Sequence, residues 1–198
     1  MNFGYRTLAN KQFIDAQQLL DDSFQLGLNI IESGYIPNFI VALWRGGTPI
    51  GIAVQELLDY CGHHADHIAI RTSLYTGVEQ RASKVAVHGL AYVVDRMHAD
   101  DKLLIVDDVH DTGLSVQQVV ADLHEQGGAD TPEIRIAMPY YKPANNKTGR
   151  VPDYYLHETD RWLVFPHELV GLTAQEVLNT KPGIEALRSK LQTLADQT

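Results

Sequence analysis

Cysteine is nearly missing from this chain: Cys61 is the single one among 198 residues. An intramolecular disulfide is therefore excluded, and a reducing compartment suits the composition. Basic residues are also scarce, with 16 Lys and Arg against 25 Asp and Glu, for a net charge of −9. That balance disfavours non-specific attraction to nucleic acid or to anionic lipid. No apolar run reaches the roughly 18 residues that a membrane span needs. The opening MNFGYRTLANKQ has no apolar signal-peptide core. The expectation is a cytoplasmic protein with no nucleic-acid or membrane partner. Repeats, low-complexity segments and linker-like shifts of composition are lacking too. With 44% hydrophobic and 21% charged residues, the chain reads as one globular domain, 1–198, able to bury a sizeable core.

What is present is an alternation of strand-like and helix-like segments. Asn10 is placed to cap a first helix running to about Ser33, with Phe13, Ile14, Leu20, Phe24, Leu28 and Ile31 near helical spacing and Gly34 as its stop. FIVALW (39–44) reads as a buried strand. Thr48 as N-cap and Pro49 as first helical residue then open a helix ending near Gly62. HIAIRTSL (67–74), KVAVHGL (84–90) and LLIV (103–106) read as strands. Val116, Val119, Val120 and Leu123 mark a helix closed by Gly127-Gly128. EIRIAMPYY (133–141) and DYYLHE (153–158) are further strand candidates, and two helical stretches, 173–179 and 183–196, finish the chain. Alternation of this kind predicts an α/β fold, a parallel core sheet flanked by helices, with ligands at the carboxyl ends of its strands.

One such end is chemically unusual. In LLIVDDVHDTGLS (103–115) four apolar residues run into Asp107 and Asp108, and Asp111-Thr112-Gly113-Leu114-Ser115 then leads into a helix. Adjacent strand residues point to opposite faces, so the two acids need not do one job. A glycine turn with two hydroxyls at a helix N-terminus is suited to an anion. The acids suit sugar hydroxyls, a divalent metal or a proton, and the whole suits a phosphorylated sugar.

This stretch resembles the 13-residue phosphoribosyl pyrophosphate (PRPP) signature of type I phosphoribosyltransferases, and the resemblance extends over about residues 37–170. It implies that family's fold, with a small hood over the core. By the same resemblance Asp107 and Asp108 bind ribose, Asp111 through Ser115 cradle the 5′-phosphate, and Asp111 is the catalytic proton acceptor near the purine imidazole. Trp44-Arg45-Gly46-Gly47 resembles the pyrophosphate loop, where Arg45, Gly46 and Gly47 would bind the diphosphate after a cis peptide. Tyr141-Lys142-Pro143 and Trp162-Leu163 resemble the base pocket of 6-oxopurine enzymes, with Lys142 donating to the exocyclic oxygen and Trp162 and Leu163 against the ring.

Two positions depart from the pattern. Residues 72–84 stand where relatives carry a hood loop with adjacent Ser and Tyr, but here Leu74 separates Ser73 from Tyr75, so their individual roles stay open. Glu168 stands where relatives have an Asp near metal and pyrophosphate. The implied cofactor is Mg²⁺, met by Asp107, Asp108 and Glu168 partly through substrate or water. The implied partners are PRPP and a purine base, with a homo-oligomer (dimer or tetramer) by analogy. Purine salvage, joining hypoxanthine, guanine or xanthine to PRPP, is the expected activity. A PRPP-sensing regulator and a transferase for another base remain as alternatives. Cys61, His63, His64, Asp66 and His67 form a ligand-rich cluster that reads as a solvated turn, with no second pair at zinc spacing.

Overall fold

A computed structural model describes residues 11–75 and 84–195. In chain order its elements are β1 (Lys11–Phe13), α1 (Ala16–Glu32), β2 (Phe39–Trp44), α2 (Gly47–Tyr60), β3 (Asp66–Tyr75), β4 (Lys84–His88), α3 (Ala91–Val94), β5 (Lys102–Val106), β6 (Val109–His110), α4 (Leu114–Gly127), β7 (Glu133–Ala137), β8 (Tyr140–Tyr141), β9 (His157–Glu158), β10 (Trp162–Val164), α5 (Ala174–Asn179) and α6 (Arg188–Ala195). The described residues form two compact units, 22–160 and the remainder, 11–21 with 161–195.

The larger unit holds a five-stranded sheet in the order β4-β3-β2-β5-β7, parallel except for β4 against β3. Its central strands are apolar on both faces, as a doubly covered parallel sheet requires. Phe39, Val41, Leu43, Leu103 and Ile105 pack with Val116, Val119 and Leu123 of α4. On the opposite face α2 approaches so closely that a Cβ at Gly51 would sit 2.9 Å from Ala42 Cβ. A second, three-stranded parallel sheet, β6-β8-β9, extends the carboxyl edge. The smaller unit pairs β1 with β10 and carries α5 and α6.

Five local expectations are corrected. The first helix begins at Ala16, not after Asn10: Asp15 caps it by accepting Gln18 N–H at 2.8 Å, and Lys11–Phe13 is a strand held by β10. Its buried face is Leu19, Ser23, Leu26, Gly27 and Ile30, whereas Leu20, Phe24 and Leu28 are exposed. Apolar spacing alone favoured the wrong stripe, because the packed one includes a serine and a glycine. Gly27 packs close to α2, where an added Cβ would lie 2.8 Å from Leu57 Cδ2. Thr48 does not cap α2, which starts at Gly47 with Gly46 as N-cap. Finally, EIRIAMPYY is two strands, because Pro139 has no N–H to continue the ladder. DYYLHE is a strand only at His157–Glu158, with Tyr154 making an isolated bridge to Ala137.

Candidate active site

Strands β2 and β5 lie side by side in parallel, Ala42 beside Val106, so the loops leaving them emerge together. The first is Arg45-Gly46, entering α2 after a cis Trp44–Arg45 peptide. Both its glycines are sterically required. A Cβ at Gly46 would overlap the Asp108 carboxyl, and one at Gly47 would overlap the Val106 carbonyl and Asp107 Cα. The turn expected for diphosphate therefore rests directly on the acidic strand end, with the Arg45 side chain exposed.

Asp107 bears the electrostatic load of this contact. Its carboxyl accepts from its neighbour's backbone, Asp108 N–H, at 3.0 Å, and the Gly47 backbone N–H also favours its charge. Burial and the Asp108 carboxylate outweigh both and push its pKa well above the usual carboxylate range. A hydrogen-bond donor or a cation placed against two acids crowded in this way would relieve them.

The second loop turns through Asp111–Gly113 into α4. Gly113 adopts a left-handed φ of 77° as its N-cap, a conformation that favours glycine. A Cβ there would also strike His110 Nε2 and Thr148 Oγ1. A hollow of about 90 Å³ opens against Asp107, His110, Asp111 and the Thr112–Ser115 turn, room for a ligand group rather than a single water.

Lys142 reaches this turn through strand register. Because β6 and β8 run parallel with His110 beside Tyr141, the next residues of each strand, Asp111 and Lys142, come together. Lys142 Nζ, almost fully buried, donates to Asp111 Oδ2 at 3.2 Å, and Asn145 Nδ2 donates to Asp111 Oδ1 at 2.9 Å. The backbone of Lys147 in turn donates to the Thr112 carbonyl at 3.0 Å, tying the 143–150 loop to the turn.

Asn145 and His110 are contributors that spacing did not disclose. Asn145 merely follows Lys142-Pro143 in the sequence. His110 occupies a variable place inside the signature and is 1% exposed, edge-on to Tyr141. Neither of its ring nitrogens makes a well-formed hydrogen bond among the described residues. Burial holds its pKa down against the opposing pull of Asn146 and the Arg150 backbone, so the ring is a neutral wedge under the turn.

Other expected residues fall elsewhere. Ser73 and Tyr75 lie on β3 opposite Ala86 and Lys84, and the rest of the hood loop, 76–83, lies outside the described residues. Trp162, Leu163 and Glu168 belong to the smaller unit. There Trp162 is 47% exposed and Leu163 buried, and the Glu168 carboxylate accepts Phe165 N–H at 3.0 Å. His64, from the Cys/His cluster, pairs with Asp59 at 2.6 Å.

Comparison with known proteins bears on the fold. Purine phosphoribosyltransferase from Pyrococcus horikoshii superposes with a TM-score of 0.64 at 28% identity, over 83% of this chain and 97% of that one. Xanthine-guanine-hypoxanthine phosphoribosyltransferase of Helicobacter pylori gives 0.63 at 20% identity, over 78% and 92%. A hypothetical protein from Neisseria gonorrhoeae with bound ppGpp gives 0.68 at 16% identity, over 97% and 99%. No curated protein matches the chain. Residues 10–170 match the phosphoribosyl transferase domain. The chain has the type I phosphoribosyltransferase fold and belongs to the phosphoribosyl transferase family.

Proposed function

We propose that this phosphoribosyltransferase joins a 6-oxopurine to PRPP, giving a nucleoside 5′-monophosphate and pyrophosphate. The observation that carries this reading is the Asp111–Lys142 pair at 3.2 Å beside the phosphate turn. It sets an acceptor next to a donor. A 6-oxopurine offers the complementary edge, an imidazole N–H beside a carbonyl oxygen, whereas adenine has an amino group where Lys142 needs an acceptor.

In the reaction the other imidazole nitrogen attacks C1 of the ribose as the C1–O bond to pyrophosphate breaks. Asp111 accepts the imidazole proton, with Asn145 holding its second oxygen. The Thr112–Ser115 turn holds the 5′-phosphate, Asp107 and Asp108 the ribose hydroxyls, and Arg45 with the Gly46–Gly47 backbone the diphosphate. Trp162, 47% exposed in the smaller unit, offers an aromatic face suited to stacking. The hood loop around Ser73 and Tyr75 excludes water from the developing sugar cation.

Mg²⁺ is the cofactor this reading requires, and the residues fit it. Among the described residues no three His, Cys, Asp or Glu side chains converge, so the protein's share would be Asp107 and Asp108. Magnesium is commonly held by one or two carboxylates and completed by water and substrate phosphate oxygens. When bound it neutralises charge on the diphosphate.

The test is incubation with PRPP and Mg²⁺ and, separately, hypoxanthine, guanine, xanthine, adenine or orotate. Nucleotide and pyrophosphate from one or more oxopurines, absent without Mg²⁺, is the expected result. The near-complete overlay on the protein with bound ppGpp favours one second reading, a sensor of PRPP or guanine nucleotides. PRPP binding without product from any base would establish it instead.

A further inference from the structure

A second hollow, of about 170 Å³, opens beside the phosphate turn on the flank of α4. It shares His110, Gly113 and Val116 with the hollow described above, but none of Asp107, Asp111, Thr112 and Ser115 lines it. Its other walls are Gln117 and Val120 of α4, with Thr148 and Arg150 of the 143–150 loop. All of these residues belong to the larger unit. An apolar cavity of about 150 Å³ takes up benzene, so there is room here for one ring.

The lining is divided by chemistry. Val116 and Val120 are four residues apart on α4, so their side chains stand one above the other and form an apolar wall. Arg150 brings a cation whose ion pair is long. Its guanidinium lies 3.9 Å from Asp153 Oδ2, an oxygen that already accepts Ile136 N–H at 2.9 Å. A bond to the Ile134 carbonyl at 3.1 Å anchors one of its five N–H donors.

His110 is the third element. It is 1% exposed, and neither ring nitrogen has a well-formed hydrogen bond among the described residues. Burial, helped by the Arg150 charge, holds the ring neutral. A neutral imidazole carries one N–H, and a buried donor without an acceptor is costly. An anion drawn to Arg150 would bring that acceptor. One guanidinium matches a single carboxylate in charge and, through its fork, in shape, whereas a phosphate dianion would stay half neutralised.

We propose that this hollow is a second ligand site, taking a small monocarboxylate with one ring, and that its occupancy adjusts the phosphate turn. The ring lies on Val116 and Val120, and the carboxylate meets Arg150 and the His110 N–H. His110 and Gly113 are common to both hollows, and a Cβ at Gly113 would lie 2.6 Å from His110 Nε2, so a shift of the imidazole is felt by the turn. The effect on the turn rests on the function proposed above; ligand binding does not.

The probe is benzoate, titrated into the full chain with labelled valine methyls and followed by NMR. Cross-peaks from its ring to Val116 and Val120 are expected, with a Kd of about 1 mM or tighter. Benzamide, which has the shape without the charge, should bind wild type about tenfold more weakly, as should benzoate bind Arg150→Gln. Val120→Phe, which fills the hollow with a ring of its own, should abolish benzoate binding. Folding of both variants is checked by circular dichroism; should either fail to fold, the cross-peaks and the benzamide comparison in wild type decide. No cross-peaks at these methyls, or equal affinities for benzoate and benzamide, would overturn the site. Saturating benzoate should change the PRPP Kd about fivefold or more, and linkage requires PRPP to change the benzoate Kd by the same factor. PRPP affinity unmoved by bound benzoate would overturn the adjusting role. If wild type binds no PRPP, the functional reading and the adjusting role fail together, whereas the cross-peaks still decide the site.

Discussion

At Asp107 the protein holds a carboxylate under conditions that disfavour its charge, with burial on one side and Asp108 on the other. Such crowding costs stability and makes sense where a ligand relieves it. Asp111 is differently placed: 43% of its side chain is exposed, and Lys142 and Asn145 each hold one oxygen. It is anchored, yet open to a ligand. Asp111→Asn keeps the shape but removes the proposed proton acceptor. Turnover should fall by about 10²–10⁴ with PRPP affinity little changed, as measured by steady-state kinetics beside direct PRPP titration. Full activity in this variant would remove Asp111 from the chemistry. Gly46 and Gly47 show how sharply single residues are constrained here, because the loop and the acids occupy neighbouring space to within one methyl group.

Among the elements, α5 is the shortest named helix of the smaller unit and is held through its first turn. Thr173 and Glu176 form its capping box, and Glu176 also binds Lys11. The Lys11 ammonium and the Thr173 N–H hold the Glu176 carboxyl below its ordinary value of 4.5. The folded state therefore binds this proton less readily than the unfolded chain. The resulting stability is fully present above pH 4.5 and is lost as pH falls through the lowered folded value. Glu176→Gln keeps a capping side chain and loses the ion pair, at a cost of about 1.5–3 kcal/mol at neutral pH. Thermal melts should show the gap between wild type and variant closing as the pH is taken down to about 3.5; a gap independent of pH would contradict the assignment. In α1 the lesson is one of phase. Leu20, Phe24 and Leu28 satisfy helical spacing as well as the packed set does, but the buried face carries Ser23 and Gly27, and Gly27 lies against Leu57 of α2.

Taken as a whole, the molecule closes segments distant in sequence, and ligand binding should register in global stability. PRPP with Mg²⁺ at about 100 times its Kd should add about 2.7 kcal/mol. For a chain of this size that is a rise of roughly 5–11 °C in melting temperature, read by differential scanning fluorimetry. The same titration with a purine base alone should give a smaller shift, because the phosphate turn and the acidic strand end are then unfilled. No shift with PRPP would count against every role given to Asp107 through Ser115.

Local order determined how much could be read without coordinates. Residues 103–115 contain their strand, acids, glycine turn and helix start within a single run, so both the fold class and the phosphate-site reading follow from neighbouring residues. The β2 strand and its glycine turn are legible for the same reason. Tertiary structure alone decided the rest. The Asp111–Lys142 pair spans 31 positions and exists because β6 and β8 run in one register. The Lys11–Glu176 pair spans 165, and no periodicity links its members. Burial made His110 a neutral wedge and turned a lysine after residue 170 toward the Phe165 carbonyl. Sequence carries chemistry that neighbours complete, whereas contacts between remote segments arise only when the chain packs and desolvates the groups that meet.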